Sequence, residues 1–248
     1  MAIELGKPAD YGQFILERRF SLAKTLARDA IAKKGFYLDV GCGNGAQTIY
    51  FANEFNKWMA VDVEDKRLNE FRNELKRGDY PAALKPHEIL RYDGDRIPLA
   101  DNSIDVLTCI EVIEHTRSDS ATIRELLRVL KPGGTAIITV PNKWWIFETH
   151  GASLPLLPWN RVPFFSWLPK KIHSKYAKAR IYRKSEIESL IREAGFSITT
   201  TAFVTAPMDM LKPPKLQSAV RNILFRNDGT AIPFLSTSVM IVAKKPTN

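Results

Sequence analysis

Apolar and polar positions along this 248-residue chain alternate between short apolar runs and stretches of helical period. Runs at 36–41, 57–63, 87–92, 104–110 and 135–140 are too short for helices and end at turn residues, which predicts buried strands. Residues 46–55 and 119–130 read as helices, the second stopped by Lys131-Pro132-Gly133-Gly134. Upstream, Phe14 to Lys34 carries Phe14, Phe20, Leu26, Ala27 and Ile31 on or near one face. Glu17, Arg18, Arg19, Lys24 and Arg28 lie mostly elsewhere, and the stretch predicts one amphipathic helix. Ser185 and Glu188 have the spacing of a capping box for a helix that Gly195 ends. Strands at 196–205 and 236–243 complete the series. Alternation of this kind predicts an α/β, doubly wound fold. Two stretches break the rhythm. Residues 142–182 are interrupted by Pro155, Pro158, Pro163 and Pro169, and 206–235 carry an amphipathic piece near Leu216 to Phe225.

The first strand ends in Asp39-Val40-Gly41-Cys42-Gly43-Asn44-Gly45. A strand, a glycine turn and a helix in that order bring bare backbone close to a ligand, because glycine has no Cβ to obstruct it. The spacing is G-x-G-x-G, which disfavours the nicotinamide dinucleotides read by G-x-G-x-x-G. The second strand ends in Asp62, with Val63 beside it, 17 residues beyond Gly45. An acid in that register accepts hydrogen bonds from ribose hydroxyls.

Leu38 to Gly45 resembles the first motif of the class I S-adenosylmethionine-dependent methyltransferases. Asp101 to Leu107 is similar to the stretch leading into that family's fourth strand, and Leu130-Lys131-Pro132-Gly133-Gly134 to the turn before its fifth. Weaker echoes follow at Ala194-Gly195-Phe196 and at 238–244. The resemblance implies a three-layer sandwich on a seven-stranded, mostly parallel sheet whose last strand is antiparallel. It implies S-adenosylmethionine as cofactor, a single domain over 1–248, and a helical cap at 1–34 covering that cofactor. It further implies that Asp39 lies near the methionine amino group, that Asp93, with Gly94, takes the adenine amino group, and that Ile110 packs on adenine. Gly41, Cys42, Gly43, Asp62 and Val63 complete the expected cofactor set. Asp93-Gly94 is also a strong turn pair, and that reading stands beside the functional one.

Composition narrows the setting. No run of about 18 apolar residues predicts a transmembrane helix, and the N-terminus lacks the apolar core of a secretory signal. Two cysteines, Cys42 and Cys109, are too few for a disulfide framework and read as small buried side chains. These features predict a cytoplasmic protein, with peripheral attachment at the inner membrane face as a further option. The net charge of +9 is unevenly placed: Lys143 to Lys184 holds nine basic residues and one acid, Glu148, with four of the five tryptophans. The insertion 142–184 therefore has three readings. It is a lid or membrane contact through aromatics beside lysines, a lid buried against the core, or a nucleic-acid surface.

The fourth strand runs into Ile110-Glu111-Val112-Ile113-Glu114-His115. Polar groups at the carboxyl end of a central strand point into the ligand crevice of a doubly wound fold, and imidazole suits removal of a hydroxyl proton near neutrality. His115 and Glu111 are the candidate bases. The stretch is similar to that of the polyprenyl-quinone O-methyltransferases, whose Glu-x-x-Glu-His grouping is associated with a divalent metal. A related grouping in small-RNA 2′-O-methyltransferases adds a further histidine downstream. Here the metal candidates are Glu111, Glu114 and His115, against a reading in which Glu114-His115 only orients the loop. Around Leu168 to His173 the chain departs from the quinone enzymes, with Ile172 in place of a threonine. The expected chemistry is methylation of a hydroxyl on a small-molecule, phenolic or lipid-linked acceptor. A 2′-O RNA methyltransferase and a non-catalytic S-adenosylmethionine-binding module are the alternatives.

Overall fold

The computed structural model describes residues 9–78, 80–147, 149–150, 152, 163–205, 219 and 228–247. Its centre is one eight-stranded sheet in the order β3-β2-β1-β4-β5-β8-β6-β7. The strands are β1 (Phe36–Val40), β2 (Lys57–Asp62), β3 (His87–Arg91), β4 (Ile104–Ile110), β5 (Leu130–Pro141), β6 (Ser197–Thr205), β7 (Gly229–Thr230) and β8 (Ser236–Lys244). The first five pair in parallel, while β8 runs antiparallel between β5 and β6. Strand order reverses between β1 and β4, and Val40 pairs with both Val61 and Cys109. A crevice therefore opens at the carboxyl ends of β1, β2 and β4, where such sheets take their ligands.

Side chains alternate along each strand, so successive residues feed opposite layers. Leu38, Val40, Met59 and Val61 pack with Ile123 and Leu126 of α5 (Asp119–Val129) and Ile187 and Ile191 of α7 (Lys184–Glu193). Tyr37, Trp58 and Ala60 face the other way. They meet Leu22 of α1 (Phe14–Leu26), Ile31 of α2 (Arg28–Ala32), Phe51 of α3 (Ala46–Ala52) and Phe71 of α4 (Asp65–Arg77). Two helical layers on one sheet give the three-layer sandwich. A short helix, α6 (Lys170–Tyr176), lies in the insertion. No helix among the described residues is long and apolar enough to cross a membrane.

Several boundaries differ from the sequence pattern. The expected helix over 14–34 is two helices, because Ala27 leaves helical dihedrals (φ −113°, ψ 25°). Arg18 and Arg19, read as outward-facing, turn inward, and Arg18 is 2% exposed. Strand β5 starts at Leu130 instead of Thr135. The Lys-Pro-Gly-Gly stretch stays extended because the Gly133 N–H donates to Lys245 O (2.8 Å) and Gly134 O accepts from the Lys245 N–H (2.9 Å). An eighth strand, β7, pairs with β6 at the sheet edge, inside the stretch read as an excursion. Helix α7 begins one residue early: Glu186 accepts the Arg183 N–H at 2.8 Å, whereas Glu188 is held by the Thr201 hydroxyl at 2.6 Å. The amphipathic piece at 216–225 and most of 151–162, with Trp159, lie outside the described residues.

Candidate active site

The floor of the crevice is the turn from β1 to α3. Gly41, Gly43 and Gly45 all have positive φ (74°, 54° and 79°). Two of them are required by the protein itself. A Cβ at Gly41 would lie 2.3 Å from Val112, and one at Gly45 would lie 2.0 Å from the Phe71 ring. Asp62, at the tip of β2, locks the turn: Oδ2 accepts the Gly43 N–H at 2.8 Å and Oδ1 accepts the Glu64 N–H at 3.0 Å. Each carboxylate oxygen keeps a lone pair, so the ribose-binding role expected of Asp62 and its structural one are compatible.

Asp39 lies beneath the turn, 3% exposed. Its oxygens accept the hydroxyls of Thr48 and Thr108, each at 2.6 Å. Burial pushes its carboxyl up from 3.8 to about 6, although both hydroxyls pull the other way. A buried carboxylate whose ionised form is disfavoured suits a site that meets a cation. Burial also pushes the thiols of Cys42 and Cys109 up, which fits their reading as small core groups. Asp93 Oδ1 accepts from the N–H groups of Asp95 and Arg96 (2.9 and 2.8 Å), so it forms the turn whatever else it binds. Those bonds hold its carboxyl below the usual range. Gly94 is left-handed beside Val63, and Ile110 is partly buried against the core.

The N-terminal segment straps this turn. The Tyr11 hydroxyl donates to Asn44 O, the Asn44 amide donates to Ala9 O (3.3 Å), and the Gln47 amide donates to Leu16 O (3.2 Å). From α1, the Arg19 guanidinium reaches to 3.5 Å from Glu111 across the crevice.

Beyond β4 the chemistry changes. Glu111 is left-handed (φ 56°), a conformation costly for a residue with a Cβ. Its N–H stays paired with Thr139 O at 3.0 Å, and its carboxylate accepts the Thr139 hydroxyl at 3.0 Å. A 3-10 turn, Ile113–His115, then places Glu114 in the interior, 0% exposed. Among the described residues, neither Glu114 carboxylate oxygen receives a hydrogen bond. Burial and then the nearby Glu111 push its carboxyl well above the usual range. His150 Nε2 stands 3.5 Å from Glu114 Oε1, and His115 Nε2 stands 4.0 Å away. The two imidazole rings are 4.7 Å apart, edge to face.

One ligand atom from each of Glu114, His115 and His150 falls within 4.8 Å of the others. This differs from the sequence expectation, in which Glu111 was the third candidate ligand; Glu111 engages Arg19 and Thr139 instead. His150 was missed, and its only signal was the further histidine of the related RNA-enzyme grouping. His173, set aside on sequence, is buried in α6 against Phe165, ring centres 5.1 Å apart. The insertion is mixed. Phe165, Ala152 and Ala177 form a small core of their own, whereas Phe164, Trp167 and Ile172 are exposed.

A profile of the Methyltransferase domain family matches residues 38–138, from β1 into β5. Among curated relatives, the ubiquinone biosynthesis O-methyltransferase of an Azoarcus species is 27% identical over 171 residues, covering 68% of this chain and 66% of the relative. The enzyme of the same name from Nitrosospira multiformis is 27% identical over 164 residues, covering 65% of this chain and 62% of its own length. A Mycolicibacterium smegmatis protein that bears the name of an S-adenosylmethionine-dependent methyltransferase is matched over 52% of its length at 27% identity. The chain thus spans about half to two thirds of these relatives. The fold is similar to that of an S-adenosylmethionine-dependent methyltransferase from Clostridium acetobutylicum, with TM-score 0.63, 12% identity, and 96% of this chain and 93% of the other covered. An enzyme of the same description from Aquifex aeolicus gives TM-score 0.56 at 18% identity, with 92% and 90% covered. Motif order, sheet topology and these likenesses agree: residues 38–138 match the Methyltransferase domain family, and the chain is similar to S-adenosylmethionine-dependent methyltransferases in sequence and in fold.

Proposed function

We propose that this chain methylates a hydroxyl group on a small-molecule acceptor, phenolic or lipid-linked, by in-line transfer. The observation that carries this reading is the cluster at the carboxyl end of β4, where the buried carboxylate of Glu114, given no hydrogen bond by the described residues, stands beside His115 and His150. A hydroxyl must lose its proton to become a good nucleophile, and this corner of the crevice offers groups that can take it. S-adenosylmethionine supplies a methyl group on a sulfonium, so the protein's own task is to orient the acceptor and exclude water. His115, or Glu111 held by Arg19 and Thr139, is the base in reach of that task.

A divalent cation fits the same cluster, because it would compensate a fully buried carboxylate that two imidazoles already approach. Glu114, His115 and His150 would hold it. Bound there, a cation would lower the pKa of an acceptor hydroxyl. One carboxylate with two imidazoles suits manganese, iron or zinc better than magnesium. Exposed Phe164, Trp167 and Ile172, with Ile232 and Phe234 and next to Lys170 and Lys171, support peripheral contact with an anionic membrane as the route to a greasy acceptor.

The test uses methyl-labelled S-adenosylmethionine with lipid and polar extracts, followed by mass spectrometry of labelled products. Label on oxygen, lost with a chelator and restored by Mn²⁺, is the expected result. Calorimetry with Mn²⁺ alone should show binding that falls at least about tenfold in His150→Ala. Label on nitrogen, or on RNA alone, would refute the small-molecule hydroxyl reading.

A further inference from the structure

Behind the loop that carries Glu114 lies a cavity of about 520 Å³, within the size range of small-molecule sites. Its charged lining is Lys143, Lys170, Arg180 and Arg183 against Asp119 and Glu186. Both acids are already engaged. Asp119 accepts from the Ser120 N–H at 2.8 Å and from the Tyr182 hydroxyl at 3.4 Å, and Glu186 caps α7 through the Arg183 N–H. The cations are held in place by the protein. Lys143 Nζ donates to Ser166 O and Leu168 O, both at 3.2 Å, which leaves one of its three N–H groups for a ligand. The Arg183 guanidinium lies 5.7 Å from the centre of the Trp144 ring. Arg180 spends its donors on the carbonyls of Ile113, Thr116 and Arg117, so it contributes fixed positive charge. Four cations against two acids leave a net charge of +2 facing a half-enclosed space. Burial and the nearby Arg183 lower the pKa of Lys143, and Glu186, which pulls the other way, does not offset them.

We propose that this cavity binds a phosphate monoester, the dianionic part of the methyl acceptor. The substrate class rests on the hydroxyl-methylation reading; the anion site does not. A dianion matches the net charge, whereas a single carboxylate would leave half of it unbalanced. Arg180 joins the cavity to the crevice. It lines the cavity, and its backbone N–H donates to the Glu114 carbonyl at 3.3 Å, so an acceptor anchored by its phosphate can reach toward Glu114 and His115. Trp167 and Leu168 at the margin give an attached apolar portion somewhere to lie.

The experiment is isothermal calorimetry on the full chain with glycerol 3-phosphate and with short-chain phosphatidic acid below its micelle concentration. Ionic strength is matched with chloride. Both ligands should bind, at least about tenfold more weakly to Lys143→Gln and about threefold more weakly to Lys170→Gln, with S-adenosylmethionine affinity unchanged in each. Lys170→Gln, an exposed change, keeps the test valid if Lys143→Gln folds poorly. Equal affinity for the two ligands identifies a free phosphate ester; tighter binding of the lipid identifies a lipid headgroup. Absence of binding above the chloride control, or undiminished binding by both variants, would overturn the proposal. Failure of hydroxyl methylation with this binding intact would remove the reaction and leave the anion site.

Discussion

The two halves of the crevice are built on opposite principles. On the β1–β2 side the acids and glycines of the turn are answered locally. Asp62 ties the glycine turn, Asp39 is held by two threonines, and Gly41 and Gly45 are filled by Val112 and Phe71. On the β4–β5 side Glu111 is strained, Glu114 is buried with no hydrogen bond from the described residues, and two histidines converge from 35 residues apart. A ligand shared by a whole superfamily can be met by a rigid, self-satisfied cradle. On the reading proposed above, a particular acceptor is met by a cluster of titratable groups gathered from distant parts of the chain.

The largest expected effect comes from breaking the rigid half. Gly45→Ala adds a Cβ to a left-handed residue pressed on Phe71, costing about 2–5 kcal/mol from backbone strain and overpacking together. Urea denaturation should show that loss, and a change below about 1 kcal/mol would mean that the turn yields. Asp39→Asn sharpens the comparison through pH. Because burial raises the folded-state pKa of Asp39, the unfolded chain ionises first. Wild-type stability should then fall relative to the variant as pH rises from about 4 to about 6, and level off above. The difference should approach about 3 kcal/mol. Parallel stability curves would show that the carboxyl titrates normally. The smallest effect on folding should come from the exposed edge of the acceptor half. Phe164→Ser with Trp167→Ser should keep stability within about 1 kcal/mol and leave S-adenosylmethionine affinity unchanged, yet reduce co-sedimentation with anionic vesicles. Undiminished co-sedimentation would refute membrane contact through these residues.

This contrast also decided what could be read from the sequence. The cofactor half is encoded by short-range patterns. Glycines at alternate positions set a turn, and an acid one strand later falls in register, so the place of Asp62 at the turn was legible from spacing, whereas Asp39 was singled out by the resemblance. The acceptor half depends on chain paths that no period encodes. His150 follows a strand end and a run of aromatics, and only folding the insertion back over β4 brings it to Glu114. Arg19 was placed off the apolar face of its helix because a charged residue carries no periodic signal for a partner such as Glu111, far away in sequence. Strand β7, two residues long, carries too little pattern to be seen.

Glu111 also bears on how this protein would respond to laboratory evolution. Replacing it with glycine relieves a left-handed residue, worth about 1–2 kcal/mol, and forfeits a hydrogen bond and an ion pair of about the same worth. A screen for thermal stability would pass over the position as neutral, whereas, with Glu111 as the proposed base, a screen for turnover would reject the change. On that proposal, a library selected on robustness alone would drift away from catalysis at position 111 unnoticed.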